Sequence, residues 1–110
     1  MAQYACIIQS GQVAEARQAE LSDGLKRIAH DLLGDVPDAV DVKWITVREG
    51  FGFTAGRPSR SSLVVRSVPN GYPDDRRTKL LSTISDLWQD VTGCGSDEIV
   101  VTAMDGPLPL

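Results

Sequence analysis

The feature that most constrains the fold is an internal repeat. The sequence matches itself at a shift of 59 positions, which carries Leu21 onto Leu80 and Gly34 onto Gly93. This single shift aligns the apolar stripes of two helices, the glycines that end them and the strands that follow. The chain is therefore predicted to contain a duplicated unit. The matched pairs are Arg17 with Arg76, Leu21 with Leu80, Leu25 with Ile84, Ile28 with Leu87, Asp31 with Asp90, Leu32 with Val91, Gly34 with Gly93, Asp38 with Asp97 and Val42 with Val101.

Each copy of the repeat has the pattern of a strand, a helix and a second strand. Residues 4–8 and 63–68 are apolar runs, typical of strands that are covered on both faces. Apolar residues spaced 4, 3 and 4 apart predict a helix within 12–33 and another from 73 to 92, each ended by a glycine. We therefore predict an α/β protein with one domain, residues 1–110. Its first β-α-β unit spans 2–49 and its second spans 61–105.

Two architectures are compatible with this order of elements. In one, the two strands of each unit are parallel neighbours joined by a right-handed crossover. In the other, the ferredoxin-like split arrangement, the strands of the two units interleave. Periodicity does not separate them. We predict the first, with 4–9 parallel to 41–48 and 63–68 parallel to 98–103, as a four-stranded sheet with two helices on one face.

Composition excludes several classes of function. A net charge of −4 and 5% aromatic residues argue against a nucleic-acid partner, which needs a basic face or a stacking platform. No apolar run reaches the length of a membrane span, and the first ten residues lack the basic start of a signal peptide. Cys6 and Cys94 are too few for a disulfide framework or metal cluster, so we predict a cytoplasmic protein without metal or cofactor.

The duplication, the length and three local motifs together resemble the tautomerase superfamily over residues 2–105. The similarity is greatest to the branch of cis-3-chloroacrylic acid dehalogenase and malonate semialdehyde decarboxylase. The motifs are the helix segment Leu25–Gly34 with its histidine, the turn Phe53–Gly56 and the last strand Ser96–Thr102. This resemblance implies the tautomerase-like fold of macrophage migration inhibitory factor.

The resemblance also implies an activity. Family members form trimers or hexamers and use an amino-terminal proline as general base or acid on small carbonyl or enol carboxylates. Arginines near their strand–helix junctions hold the substrate carboxylate, because a guanidinium pairs with it bidentately. For this chain the resemblance thus implies a homotrimeric isomerase of small carboxylates, or a related lyase, hydratase or dehalogenase.

This sequence departs from the family pattern at the positions that carry the chemistry. Ala2 stands where the family has proline, and the junctions at 11–12 and 70–71 contain no arginine. The α-amine of Ala2 is a candidate base, since burial lowers an amine pKa toward neutrality. We expect weak tautomerase activity. The alternatives are a non-catalytic trimeric relative that binds a small anion and a ferredoxin-like ligand-binding module.

The remaining candidate residues are one histidine and three arginines. His30 lies about 180° from the apolar stripe of its helix. That position is typical of a surface residue, while the resemblance makes it a candidate catalytic group. Arg66 interrupts an apolar strand, where a charge needs a partner. It is therefore either an anion-binding residue or half of a salt bridge at an edge or interface. Arg57 and Arg60, in a Gly-rich loop, are candidate substrate-binding residues or solvated charges.

Overall fold

The structure, a computed structural model, describes residues 3–109. It contains two 19-residue helices, α1 and α2, a four-stranded sheet and a small hairpin. The elements in chain order are β1 Tyr4–Gln9, α1 Glu15–Leu33, β2 Val42–Val47, β3 Phe53–Thr54, β4 Arg57–Pro58, β5 Ser62–Val68, α2 Asp74–Thr92 and β6 Ile99–Asp105.

The order of the strands in the sheet is β2-β1-β5-β6. β1 runs parallel to β2, β5 runs parallel to β6, and the central pair β1 and β5 is antiparallel. The predicted pairings of 4–9 with 41–48 and of 63–68 with 98–103 are therefore confirmed. Because the two strands of each unit are neighbours, the interleaved ferredoxin-like alternative is wrong for this chain.

Both helices end at the predicted glycines. Gly34 and Gly93 adopt the left-handed conformation, with φ of 71° and 72°, which a residue without Cβ accepts at little cost. The start of α1 differs from the prediction by three residues. The Gln12 N–H donates to the Gln9 carbonyl in a turn, and the helix begins only after the extended Ala14. The apolar stripe begins with Leu21, so it contains no signal for this first turn.

Both helices pack on the same face of the sheet, as predicted. The inward residues of β1 are Tyr4, Cys6 and Ile8, all buried beneath the helices. Trp44 on β2 lies 5.7 Å from Trp88 on α2 between ring centroids. The helices approach each other where Gly24 of α1 faces Leu87 of α2. The core therefore lies between the sheet and the helix pair.

The repeat has one irregularity in three dimensions. The two helices correspond at the shift of 59, but the first strands correspond at 60, because inward-facing Tyr4 and Cys6 match inward-facing Val64 and Arg66. The strands and the helices of the two units are thus offset by one residue, although both connections, 10–14 and 69–73, contain five residues. As a result, a charged side chain occupies in β5 the core position that a cysteine occupies in β1.

The opposite face of the sheet is apolar and only partly covered. Ala5, Ile7, Ile45 and Val65 lie on it, and Leu108 of the C-terminal tail packs against it. Val100 at its margin is 53% exposed. Neither helix of the described chain is long and apolar enough to cross a membrane.

The Gly-rich segment before β5 forms the hairpin of β3 and β4. Its two turn residues, Ala55 and Gly56, have positive φ values of 51° and 76°. That combination is typical of a type I′ turn, which matches the twist of the strands it joins. The hairpin carries Phe53 on its exposed side.

Candidate anion-binding site

A cavity of about 320 Å³ lies at the end of the sheet where β1 begins and β5 ends. It is lined by the residue before β1, by the C-terminal end of α1 and by the last three residues of β5. Its volume falls within the range typical of small-molecule sites. Six of the residues that line it are Gln3, Leu33, Asp35, Arg66, Ser67 and Val68.

Arg66 is the charged group buried at this cavity. The residue is 3% exposed, because alternation along β5 places it on the inward face. Its Nε donates to the Ser67 carbonyl at 2.7 Å, and its Nη2 donates to Asp35 Oδ2 at 2.6 Å. Its Nη1 has no hydrogen-bond partner among the residues described. An unpaired donor in a buried guanidinium is costly.

The end of α1 holds Asp35 beside Arg66. The Gly34 N–H donates to the His30 carbonyl at 3.0 Å, and the Asp35 N–H donates to the Ala29 carbonyl at 3.2 Å. The first bond is that of an αL C-cap motif, and the second fixes the backbone at the residue after the glycine. The side chain of Asp35 is 35% exposed. The ion pair is therefore buried on the arginine side and partly hydrated on the carboxylate side.

Tyr4 supplies an apolar wall for the guanidinium. Its ring centroid lies 4.7 Å from Arg66 Cζ, and its hydroxyl donates to the Leu25 carbonyl at 2.9 Å. Burial raises the pKa of Tyr4 to about 12, although the charge of Arg66 acts in the opposite direction. Tyr4 is consequently neutral at physiological pH. Asp35 is therefore the residue that balances the charge of Arg66.

Of the two predicted catalytic residues, the structure describes only His30. Ala2 is outside the described residues. The residue after it, Gln3, lines the cavity, and its carbonyl accepts a hydrogen bond of 2.9 Å from the Ser67 N–H. His30 is exposed on α1, as its position opposite the stripe predicted. Its Nδ1 lies 3.2 Å from the carbonyl oxygen of Asp35, so it contacts the segment that carries the ion pair without lining the cavity.

The three predicted arginines do not come together. Arg66 lies near the end of β5, whereas Arg60 precedes that strand, about 20 Å away at ~3.3 Å per residue. The side chain of Arg60 is 86% exposed, with its Nε 3.5 Å from Glu98 Oε2. Arg57 is exposed on the hairpin. Of the three, only Arg66 combines burial with a free donor in the described part of the chain.

Sequence reasoning missed Asp35. Its partner is 31 residues away, and nothing in a helix period or strand alternation links the two positions. Its place directly after the predicted helix stop was the one available signal, since the residue after a C-terminal glycine is held by the cap. The salt bridge expected for Arg66 is present, but on a central strand of the sheet rather than at an edge.

A second cavity of about 190 Å³ lies at the other end of β5. Gln12, between β1 and α1, lines it and joins the two units. Its Nε2 donates to the Arg60 carbonyl, and its Oε1 accepts from the Gln9 N–H at 3.2 Å and the Ser62 hydroxyl at 3.4 Å. The amide of Gln12 therefore has a structural role in this chain.

The described residues contain no group of three or more histidine, cysteine or acidic side chains placed to hold a metal ion. Cys6 and Cys94 are both free thiols, the first buried and the second half-buried. Burial raises the pKa of the Cys6 thiol to about 12. A buried, protonated thiol of this kind is a poor nucleophile.

Several solved structures share this architecture over nearly the whole chain. Native Ps01740 is 26% identical with a TM-score of 0.89, and the match covers 94% of this chain and 93% of that one. N1, a member of the cis-3-chloroacrylic acid dehalogenase (cis-CaaD) family, is 23% identical with a TM-score of 0.87, covering 94% and 74%. Native fused 4-OT is 21% identical with a TM-score of 0.83, covering 94% and 86%.

No family model and no curated protein matches the sequence. Similarity is therefore detected in three dimensions, where the solved structures superpose on 94% of this chain. The resemblance to the tautomerase superfamily is confirmed at the level of the fold. The chain is a duplicated β-α-β protein with the tautomerase-superfamily fold.

Proposed function

We propose that the protein binds a small carbonyl or enol carboxylate in the cavity at the start of β1, and that it acts on this ligand as a weak tautomerase. The observation that carries the proposal is Arg66, a buried cation that lines this cavity and whose Nη1 has no hydrogen-bond partner among the described residues. A carboxylate oxygen that accepted from the guanidinium would form a charge-assisted hydrogen bond, which is stronger than a neutral one.

The catalytic part of the proposal concerns the amine of Ala2. Ala2 directly precedes Gln3, which lines the cavity, and Tyr4 is the register partner of Arg66. A base at that place would remove a proton from a carbon beside the ligand carbonyl. A primary amine lacks the fixed ring of proline, and for this reason we propose a weak activity. His30 contacts the Asp35 backbone, and its effect on the ligand would be indirect, through that segment.

A homotrimer is also part of the proposal. Two fused 4-OT structures are described as a symmetric and an asymmetric trimer, at TM-scores of 0.83 and 0.84 to this chain. The apolar sheet face with Ile7, Ile45 and Val65 would be covered in such an assembly. Light scattering should then give about three times the chain mass of 11.9 kDa. A monomer at micromolar concentration would contradict the assembly.

The binding step is tested with phenylpyruvate. Titration calorimetry of the wild-type protein should give saturable binding, and Arg66→Gln should weaken it at least tenfold, since a charged hydrogen bond contributes about 1.5–3 kcal/mol. Arg60→Gln serves as the matched control, because it removes the same charge from an exposed site. Equal affinity of the wild type and Arg66→Gln would refute the proposal.

A second candidate function is a non-catalytic trimer that binds a small anion. The arginine site supports it, because among the described residues Arg66 contacts both Asp35 and Tyr4. Binding of phenylpyruvate without any ketonisation above the buffer rate would favour this candidate over the tautomerase.

A further inference from the structure

The sheet face that points away from the helices carries almost no charge. In the strand registers, Ala5 is opposite Lys43 of β2 and Val65 of β5, so these three side chains share that face. Lys43 is the one charged residue at the outward positions of the four strands, and it lies on the edge strand β2. A solvated sheet face usually carries polar residues. The composition of this face therefore indicates a surface that is made to be covered.

A short segment after β6 crosses one end of this face. The Gly106 N–H donates to the Val68 carbonyl at 2.9 Å, and Gly106 has a φ of 80°. Beyond this turn, Leu108 lies over the outward face and is only 6% exposed. Ala5, which lines the same apolar cavity of about 120 Å³, is 3% exposed. Residues 106–109 are called the strap below.

The strap is held firmly at its base and weakly beyond it. At the base, Arg77 Nη2 donates to Asp105 Oδ1 at 2.8 Å. No hydrogen bond joins residues 107–109 to another described residue, and Pro107 and Pro109 have no N–H to donate. Leu108 is therefore retained by apolar contact alone. Burial of one leucine shifts an equilibrium roughly 10- to 100-fold, so the strap is closed in the isolated chain but can be displaced.

The apolar surface continues past the strap. Ile7 lines the cavity under the strap and also a larger one of about 310 Å³ beside the hairpin, together with Leu63 and Val100. Four strands of about six residues make a face of roughly 20 by 20 Å, or about 400 Å². A stable interface buries about 800 Å² on each partner. A partner therefore needs the whole face, including the end that the strap covers.

From these observations we propose that the strap is an autoinhibitory contact: Leu108 occupies the surface on which a second copy of this chain packs, and it must leave before the copies associate. The inference rests on the proposed homotrimer, because it concerns the regulation of that assembly. Copies of the chain fit this face because each presents the same nearly uncharged surface. Lys43, on an edge strand, can stay at the hydrated rim of an interface.

The test is Leu108→Ser, which keeps the strap but removes the contact that closes it. Sedimentation velocity from nanomolar to high micromolar concentration gives the point at which half of the chains are associated. That concentration should be at least tenfold lower for Leu108→Ser than for the wild type, because the competing contact is lost. Met104→Ser removes apolar surface from the face itself and should raise it. Val36→Ser is the matched control, since Val36 is 65% exposed and lies outside the sheet, and should leave it unchanged.

A measurement on the wild type covers the case in which Leu108→Ser folds poorly. In ¹³C-methyl-labelled protein, NOEs between Leu108 and Val65 should be present in the dilute monomer and absent from the trimer. Equal or weaker association of a folded Leu108→Ser, or NOEs that persist in the trimer, would overturn the role of the strap. A wild type and a variant that both remain monomeric at every concentration would overturn the proposed homotrimer itself.

Discussion

Tyr4 and Arg66 are register partners on the two central, antiparallel strands, and the guanidinium carbon of Arg66 lies 4.7 Å from the centre of the Tyr4 ring. A desolvated cation–π contact of this kind contributes about 2 kcal/mol. Asp35 neutralises the same guanidinium from the end of α1. A buried charge in the core of a small domain is thus stabilised by a ring, a carboxylate and one carbonyl.

Removal of either member of the ion pair should have unequal effects on stability. Asp35→Ala leaves a guanidinium that is 3% exposed without its counter-charge. We expect a loss of about 2 kcal/mol in the free energy of unfolding, below the ~3–5 kcal/mol of a fully buried pair because Asp35 is partly hydrated. Arg66→Met leaves a carboxylate that water can reach and should cost less. Urea denaturation measures both.

The double variant Asp35→Ala/Arg66→Met completes the comparison. It should be more stable than Asp35→Ala alone, since the unpaired buried charge is gone. Equal losses for the two single variants, or a double variant no better than Asp35→Ala, would show that Arg66 is not the more strongly desolvated partner.

The protein should lose stability at alkaline pH. Burial raises the pKa of Cys6 from 9.0 to about 12 and that of Tyr4 from 10.0 to about 12. Both groups lose their protons at lower pH in the unfolded chain than in the folded one. Their contribution to stability is therefore complete below pH 9 and is lost between pH 9 and 12. At pH 10.5 the thiol alone should account for about 2 kcal/mol.

Cys6→Ala isolates this effect. It should be destabilised at pH 7 by the loss of buried volume, but its stability should fall about 2 kcal/mol less than the wild type between pH 7 and 10.5. Cys94→Ala is the control, because that thiol is only half-buried. Parallel curves for the wild type and Cys6→Ala, from urea denaturation at each pH, would disprove the assignment.

Gly24 should be required for the packing of the two helices. A Cβ at this position would lie 2.7 and 2.8 Å from the two terminal carbons of Leu87 and 3.3 Å from its Cγ. Alanine gains about 1 kcal/mol in helix propensity, but overpacking costs about 1–3 kcal/mol. We expect Gly24→Ala to lower the free energy of unfolding by about 1 kcal/mol.

The same substitution in a Leu87→Ala background should be stabilising, because the clash is removed and the helix propensity remains. A double-mutant cycle by thermal and urea denaturation gives the coupling, which should exceed about 1 kcal/mol. Additive effects of the two substitutions would mean that the helices adjust without cost.

Replacement of Ala2 by proline tests the catalytic proposal. In a host that removes Met1, Ala2→Pro should raise phenylpyruvate tautomerase activity at least tenfold. A correctly placed general base contributes about 10²–10⁴-fold, and the proline ring orients its amine. The spectrophotometric ketonisation assay measures the change. Ala2→Gly is the control, since it keeps a primary amine and should show no gain.

Intact-mass measurement must accompany this assay, because it establishes that residue 2 carries the free amine. No gain from a proline that is exposed in this way would contradict the proposed base. High activity of the unmodified protein that acetylation abolishes would contradict the proposed weakness instead.

Much of the fold could be predicted from the sequence, because its signals are local. The stripe that includes Leu21 and Leu25 predicts one face of α1, and Gly34 and Gly93 mark the ends of both helices. The start of α1 was harder to predict from the sequence. The first turn carries no apolar stripe, and the side chain of Gln12 bonds to Arg60 far along the chain. The hairpin around Ala55 was predicted only as a Gly-rich connection, since alanine is an unusual residue at positive φ.

The candidate site could be predicted from the sequence less well than the fold, because its residues meet only in the tertiary structure. The sequence by itself determined two β-α-β units, their helix ends and an out-of-place arginine in an apolar strand, because each follows from spacing within one segment. Only the tertiary structure decided that β1 and β5 pair antiparallel, that Asp35 meets Arg66 across 31 residues and that Nη1 has no partner within residues 3–109. The physical reason is that a buried charge selects its partner by distance in the folded core, and that distance has no periodic trace along the chain.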